Sequence, residues 1–362
     1  MLVLLDLDGT LINDRGYRAA IDATVLRYAQ QHSLPEHTPS DDDVHLLHAH
    51  GYSNEWDSVA FLAAILRHAK QHSLTARPDF QWWIRQTAGL PGLPNERACE
   101  VLLRQSPESQ HPLIHALLDN VTDVENTPTT RLFAEMILGS QLFSEHYDIP
   151  ASLDVASLLE TLDEPLINAA GRDVILARRS CIFTARPSLP PGHRHPRSAH
   201  DELSAAVHPP EAEIGLKLLH LEHLPMIALG HVQWLADIHN ERVYDLTKPA
   251  PVQALAAMLT ASGINEHIAL LSAYELWKSD TCAPEYQRLQ GEYVYVFEDN
   301  AAGVRACHQA AAILKTHGVH VSVHGMGVAA AEAKRKALEP WCDHVFDKVN
   351  DALAKLGNIP YY

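Results

Sequence analysis

The sequence predicts an α/β protein: a doubly wound, Rossmann-like parallel sheet interrupted near its N-terminus by a separate helical domain. Three observations carry this. The chain opens on a short apolar run, residues 2–5, which reads as a strand buried on both faces. Beyond residue 165, strand-like and helix-like segments alternate, the pattern of parallel βα units. Between these regions, from about residue 16 to 165, helical periodicity dominates. A length of 362 residues, at about 100–200 per domain, allows two domains or one domain with a large insert. The expected division is a core of 1–15 and 166–362 and a helical domain of 16–165.

Each element has its own justification. In the helical region, apolar residues recur at helical spacing over 18–31, 58–70, 96–105 and 130–146. Breaks containing Pro and Gly, such as 90–94, separate them. In the second half, 180–183 is a strand candidate, 211–221 a helix and 226–229 a weaker strand. Residues 249–261 form a helix opened by Pro in its first turn, where a missing N–H costs nothing. A strong strand follows at 293–297, then a helix at 301–314, a strand at 319–323, a helix at 329–338 and a last strand at 344–346. Residues 187–210, rich in Pro, His, Arg and Ser, form a loop longer than most connections in compact domains.

Composition narrows the function. The net charge of −17 repels a phosphate backbone, so nucleic acid is not an expected partner. A small anionic substrate remains compatible, because a bound metal or a local basic pocket reverses the field where it matters. Five cysteines, none in a C-x-x-C pair, argue against a disulfide framework or zinc knuckle and suit a reducing, cytoplasmic setting. The opening apolar run stops at Leu5, so no secretory leader is expected. No uncharged run of about 18 apolar residues appears, so no membrane span is expected.

Four polar signatures carry chemistry, and three lie just past strand candidates, where open α/β sheets bind ligands. The first is Asp6-x-Asp8-Gly9-Thr10. Side chains two apart on an extended chain point the same way, and two carboxylates side by side call for a cation or proton between them. The second is Thr184, whose hydroxyl suits a phosphate oxygen but which is also an ordinary strand-end residue. The third is Lys248 before Pro249, at a helix N-terminus, where its charge opposes the dipole unless an anion is held there. A solvated lysine is the plain alternative. The fourth is Glu298-Asp299, two carboxylates ending a buried strand. Hard oxygen ligands there suit Mg²⁺, whereas the plain alternative is a helix cap.

In this order the four signatures resemble those of the haloacid dehalogenase superfamily. Its phosphatases carry D-x-D-G-T, a Thr or Ser after a second strand, a Lys opening a helix and an acidic pair after a further strand. Asp6, Asp8, Thr184, Lys248, Glu298 and Asp299 match in turn. Residues 248–251, Lys-Pro-Ala-Pro, look like the third motif of the phosphoglycolate phosphatase and β-phosphoglucomutase branch. The resemblance covers the first dozen residues and about 172 to the end. It implies that 16–165 is a helical cap inserted after the first motif. Asn300 stands where many relatives have Ser.

The resemblance also implies a mechanism. Asp6 attacks phosphorus and forms an aspartyl-phosphate, and Asp8 serves as general acid and then base. Mg²⁺ is bound by Asp6, the Asp8 carbonyl and Asp299, with Glu298 nearby or coordinating. Thr184 and Lys248 hold phosphoryl oxygens. The expected substrate is a small phosphorylated metabolite, cleaved as a phosphate monoester. A phosphomutase using the same intermediate and a non-catalytic phosphometabolite-binding protein are the alternatives. Asp8 points away from carbon–halogen cleavage, because the dehalogenases of the superfamily lack it.

Weaker candidates for substrate contact are Thr10, Asn54, Trp56 and Arg186. Asn54 and Trp56 lie in the stretch 51–57, read either as a cap loop facing substrate or as a helix start with Asn54 as N-cap and Asp57 in the first turn. Arg186, His193, Arg194, His195, Arg197 and His200 form the one strongly basic stretch, read as a solvated loop or an anion-attracting gate.

Overall fold

The computed structural model describes residues 1–52, 54–71, 78–195 and 208–359. Its chain divides into two compact units, Met1–Asp14 with Asp163–Tyr362, and Arg15–Leu162.

The first unit is built on a six-stranded sheet: β1 (Leu2–Leu5), β2 (Arg179–Phe183), β3 (Met226–Ile227), β4 (Tyr293–Glu298), β5 (Ser322–Val328) and β6 (His344–Phe346). Every pairing is parallel and the spatial order is β3-β2-β1-β4-β5-β6. This is the doubly wound α/β class, in which the winding reverses between β1 and β4 and leaves a crevice at the strand ends.

Alternation explains why β1 is apolar throughout. Leu2 and Leu4 pack into one core with the helices Pro251–Ala261 and Ala301–Thr316, whereas Val3 and Leu5 pack into a second core with Val349–Gly357. Cys181 and Phe183 of β2 join the first core and Ile182 the second. Both faces of the central strands are thus covered, and each fully buried Leu or Val contributes about 1.5–3 kcal/mol over an exposed one.

Several elements differ from the sequence-based expectation; the helix expected at 329–338, for one, is Glu332–Leu338. The strand expected at 319–323 is Ser322–Val328. Val319 instead closes the preceding helix, its N–H donating to Leu314. Gly325 and Gly327 look like strand breakers, but they lie where β5 passes close to Cys342; a Cβ on Gly325 would come within 2.8 Å of the Cys342 Cα. The strand expected at 226–229 ends at Ile227, and Leu229 already begins the helix Leu229–His239. The helix expected to open at Pro249 opens at Pro251, with Ala250 as N-cap.

In the second unit the helices Arg15–Gln31, Glu55–Gln71, Pro94–Gln105 and Pro128–Tyr147 lie where the periodicity put them, with Asp41–Ala49, Phe80–Gln86 and His111–Leu118 added. Gly139 interrupts Pro128–Tyr147 at φ 75° and ψ 158°. Beside that break, buried Glu135 accepts from Ser152 N and Leu153 N at 2.9 and 2.8 Å, which ties the returning chain to the helix. Among the described residues no helix is long and apolar enough to cross a membrane, and no cysteine is in a disulfide.

Candidate active site

The site begins where β1 stops. Asp6 N donates to Phe297 O at 3.0 Å, so the residue after β1 stays registered against β4. The chain then coils tightly. Leu7 O accepts from the N–H groups of Thr10, Leu11 and Ile12, and Gly9 takes a φ of +69°. A Cβ at Gly9 would lie 2.2 Å from Asp299 Oδ2. Glycine is required there twice, for its left-handed backbone and for the close passage beneath Asp299.

Three carboxylates converge across the β1–β4 crevice: Asp6, Glu298 and Asp299 each present an oxygen, all within 4.8 Å of one another. Lys248 Nζ donates to Asp6 Oδ1 at 3.0 Å, Glu298 Oε1 at 2.6 Å and Phe183 O at 2.7 Å, so it joins the ends of β1, β2 and β4. Lys334 pairs with Asp299. Two ammonium groups thus face three carboxylates. Gly303 leaves room for this, because a Cβ there would fall 1.7 Å from Glu298 Oε1.

The electrostatics follow from crowding. Burial pushes Asp6 up to about 6; Lys248 opposes the rise, and Asp299 and Asp8 add to it. Burial and the Asp6 charge also hold Glu298 well above the ordinary carboxylate range. Burial alone would depress Lys248, but Asp6 and Glu298 outweigh it and keep its ammonium charged. Hard oxygens with excess negative charge form a donor set that fits Mg²⁺, which takes one or two protein carboxylates and completes its shell with water and phosphate.

Asp8 is held differently. The Arg186 fork donates through Nε to Asp8 Oδ1 and Oδ2 at 2.9 and 3.2 Å, and Nη2 reaches Asp163 Oδ2 at 3.0 Å. The Arg186 side chain has no exposure, whereas that of Asp8 is 29% exposed, the most open of the site's carboxylates. Burial and the neighbouring Asp8 push Asp14 up to about 6. Thr184 is buried and its Oγ1 accepts from Arg186 N at 3.2 Å.

The structure therefore brings Asp6, Asp8, Thr184, Arg186, Lys248, Glu298 and Asp299 to one end of the sheet. It changes the reading of several weaker candidates. Arg186 is buried against two carboxylates rather than directed at solvent, and Thr10 is wholly buried. Asn54 Oδ1 accepts from Trp56 N at 2.9 Å and Asp57 lies in the first turn of Glu55–Gln71, the arrangement of a helix start. Trp56 is buried, not projecting. In the basic stretch, Arg194 pairs with Glu266, which also accepts from Gly192 N at 3.1 Å and Met226 N at 3.2 Å; that part of the loop is anchored to the sheet. Arg197 and His200 lie outside the described residues.

Three contributors escaped sequence reasoning. Buried Gln253 donates to Thr184 O at 2.7 Å and Ile227 O at 3.1 Å and accepts from Lys248 N at 3.3 Å, fixing the second and third signatures to each other. Its one signal was a lone amide in an apolar helix. Asp163 and Lys334 had none, each being one charge among several neighbours.

No family model and no curated protein matches this chain. Solved structures do. A crystal structure named as Northeast Structural Genomics Consortium target ZR25 aligns with a TM-score of 0.60 at 13% identity, covering 98% of each chain. Phosphatase Tt82 from Thermococcus thioreducens aligns more loosely, with a TM-score of 0.47 at 12% identity over 99% of this chain and 100% of that one. At such identities the first likeness speaks to the fold alone: a doubly wound α/β core with a helical unit. The second is too loose to carry an argument.

Proposed function

We propose that this protein is a Mg²⁺-dependent phosphohydrolase of the haloacid dehalogenase type that cleaves a small phosphate monoester. One observation carries the reading: Asp6, Glu298 and Asp299 converge at the winding reversal with Lys248 bridging two of them. Burying charges costs several kcal/mol per ion, and apolar residues often stabilise a fold as well or better, so a group of this composition favours a functional reading.

The geometry supports the following division of labour. Asp6, at the end of a rigid central strand, is the nucleophile, and its attack on phosphorus makes an aspartyl-phosphate as the alkoxide leaves. Lys248 fixes the Asp6 carboxylate and holds Glu298 beside it. Asp8, the more open carboxylate, gives a proton to the leaving oxygen and then takes one from the water that cleaves the intermediate, help worth about 10²–10⁴ in rate. Arg186 and Asp163 orient Asp8. Asp6, Asp299 and the Asp8 carbonyl would hold Mg²⁺, with Glu298 beside them. Bound there, the ion supplies charge neutralisation between the carboxylates and the incoming phosphate.

The test is hydrolysis of p-nitrophenyl phosphate and a panel of phosphorylated metabolites, with Mg²⁺ and with chelator. Inorganic phosphate release that needs Mg²⁺ and vanishes in Asp6→Asn is expected. Activity that persists in Asp6→Asn would refute the mechanism.

A further inference from the structure

A second cluster of potential ligands lies in the helical unit, and none of its residues belongs to the site above. Cys99 is carried by Pro94–Gln105, His115 by His111–Leu118, and Asp119 is the C-cap of the same short helix. His115 and Asp119 are four apart, so they share one helix face. His115 Nδ1 lies 2.9 and 3.1 Å from the two Asp119 oxygens. The Cys99 sulfur faces both, 3.8 Å from His115 Nδ1 and 3.9 Å from Asp119 Oδ1. One atom from each of the three lies within 4.8 Å of the others.

A His–Asp pair at this spacing is an ordinary surface ion pair, worth about 0.3–0.5 kcal/mol. That does not account for the thiol. Cys99 is buried, yet its sulfur is turned from a neighbouring helix onto the two ligand atoms. The spacing lies close to that of a tetrahedral centre, with the sulfur slightly too far and the oxygen slightly too near. With Zn–S near 2.3 Å and Zn–N near 2.0–2.1 Å, sulfur and nitrogen sit about 3.6 Å apart, and nitrogen and oxygen about 3.3 Å. The side chains of His115 and Asp119 are 44% and 61% exposed, so an ion can enter and a fourth, outer position faces solvent. One thiolate, one imidazole and one carboxylate form a borderline-soft set that favours Zn²⁺ over Mg²⁺.

We propose that Cys99, His115 and Asp119 form a Zn²⁺ site with an open fourth position, which cross-links the helices Pro94–Gln105 and His111–Leu118. Binding requires the Cys99 thiol to lose its proton to solvent, so one proton leaves with sulfur coordination and affinity rises with pH.

Cobalt titration of the full chain in excess Mg²⁺ tests this, because Mg²⁺ occupies the hard-oxygen site and Co²⁺ reports sulfur ligation by its charge-transfer absorption. One equivalent of Co²⁺ with a thiolate band is expected, displaced by Zn²⁺ and absent in Cys99→Ser. His115→Ala and Asp119→Asn should each weaken binding about 10–100-fold, at least the loss seen when an outer-shell partner is removed. Zn²⁺ should raise the unfolding temperature of the wild type and not of His115→Ala. The proposal is overturned by the lack of a thiolate band, by a band that survives Cys99→Ser, or by affinity unchanged in both exposed-ligand variants. Those two variants decide the matter if Cys99→Ser does not fold.

Discussion

Arg186 grips Asp8 from beneath: its Nε lies 2.9 Å from one carboxylate oxygen and 3.2 Å from the other, and its side chain is entirely buried. In the proposed mechanism this fixes the rotation of the aspartate that meets the leaving oxygen. Lysine cannot reproduce a planar fork. Arg186→Lys is expected to lower kcat by about one to two orders of magnitude, part of the roughly 10²–10⁴ that acid–base help is worth in full, and to leave KM nearly unchanged. Steady-state kinetics on p-nitrophenyl phosphate checks this. An equal fall in kcat and rise in KM would count against an orienting role.

Arg186 also answers Asp163, and both side chains are buried. Removing one partner of such a pair leaves an uncompensated charge, at a cost of about 3–5 kcal/mol. Arg186→Ala should therefore shift the urea midpoint strongly downwards, and Arg186→Ala with Asp163→Asn should recover part of the loss.

Gly303 stands in the first turn of Ala301–Thr316, where Ala would favour the helix by about 1 kcal/mol. Its Cβ would nevertheless meet Glu298 Oε1, and through it Lys248. Gly303→Ala should keep the fold by circular dichroism while losing most activity. Undiminished turnover would show that the Glu298 position is unimportant.

Glu266 predicts acid behaviour. Burial would raise its pKa, but the nearby His231 imidazole, 3.5 Å away, and the charge of Arg194 overcome this and hold it below the ordinary value of 4.5. A depressed carboxylate stabilises the fold above its unfolded pKa, and that stability drains away as pH falls through the lower folded value. From pH 7 to pH 3 the wild type should lose more unfolding temperature than Glu266→Gln. Parallel curves would mean the anchoring of Gly192, Arg194 and Met226 is not energetic.

In the helical unit, Gly139 holds a left-handed φ with backbone close by; a Cβ would lie 2.6 Å from Ser157 N. Gly139→Ala should destabilise by more than the roughly 1–3 kcal/mol of backbone strain alone, since the returning chain must also move. Thermal unfolding measures it.

Much of this was legible beforehand because of period and position. The four long helices of 15–162 announce themselves by spacing, and the all-apolar run 2–5 announces a strand covered on both sides. Asp6, Asp8, Lys248, Glu298 and Asp299 were readable as polar residues directly after, or between, apolar segments, where a parallel sheet has its mouth. The strand lies at Ser322–Val328 rather than 319–323, and its glycines, ordinarily poor strand residues, are accommodated by the close passage of Cys342.

By itself, the sequence determined the layered α/β architecture, the helical insertion and the carboxylates gathered at the strand ends. These follow from local periodicity and from charges at element boundaries, which a linear chain displays. Only the tertiary structure decided what each polar side chain holds: Arg186 on Asp8 and Asp163, Gln253 across three backbones, Cys99 beside His115 and Asp119. Such pairings depend on burial and on distances across 5 to 178 positions of chain, and no residue's identity encodes the partner that packing will bring to it.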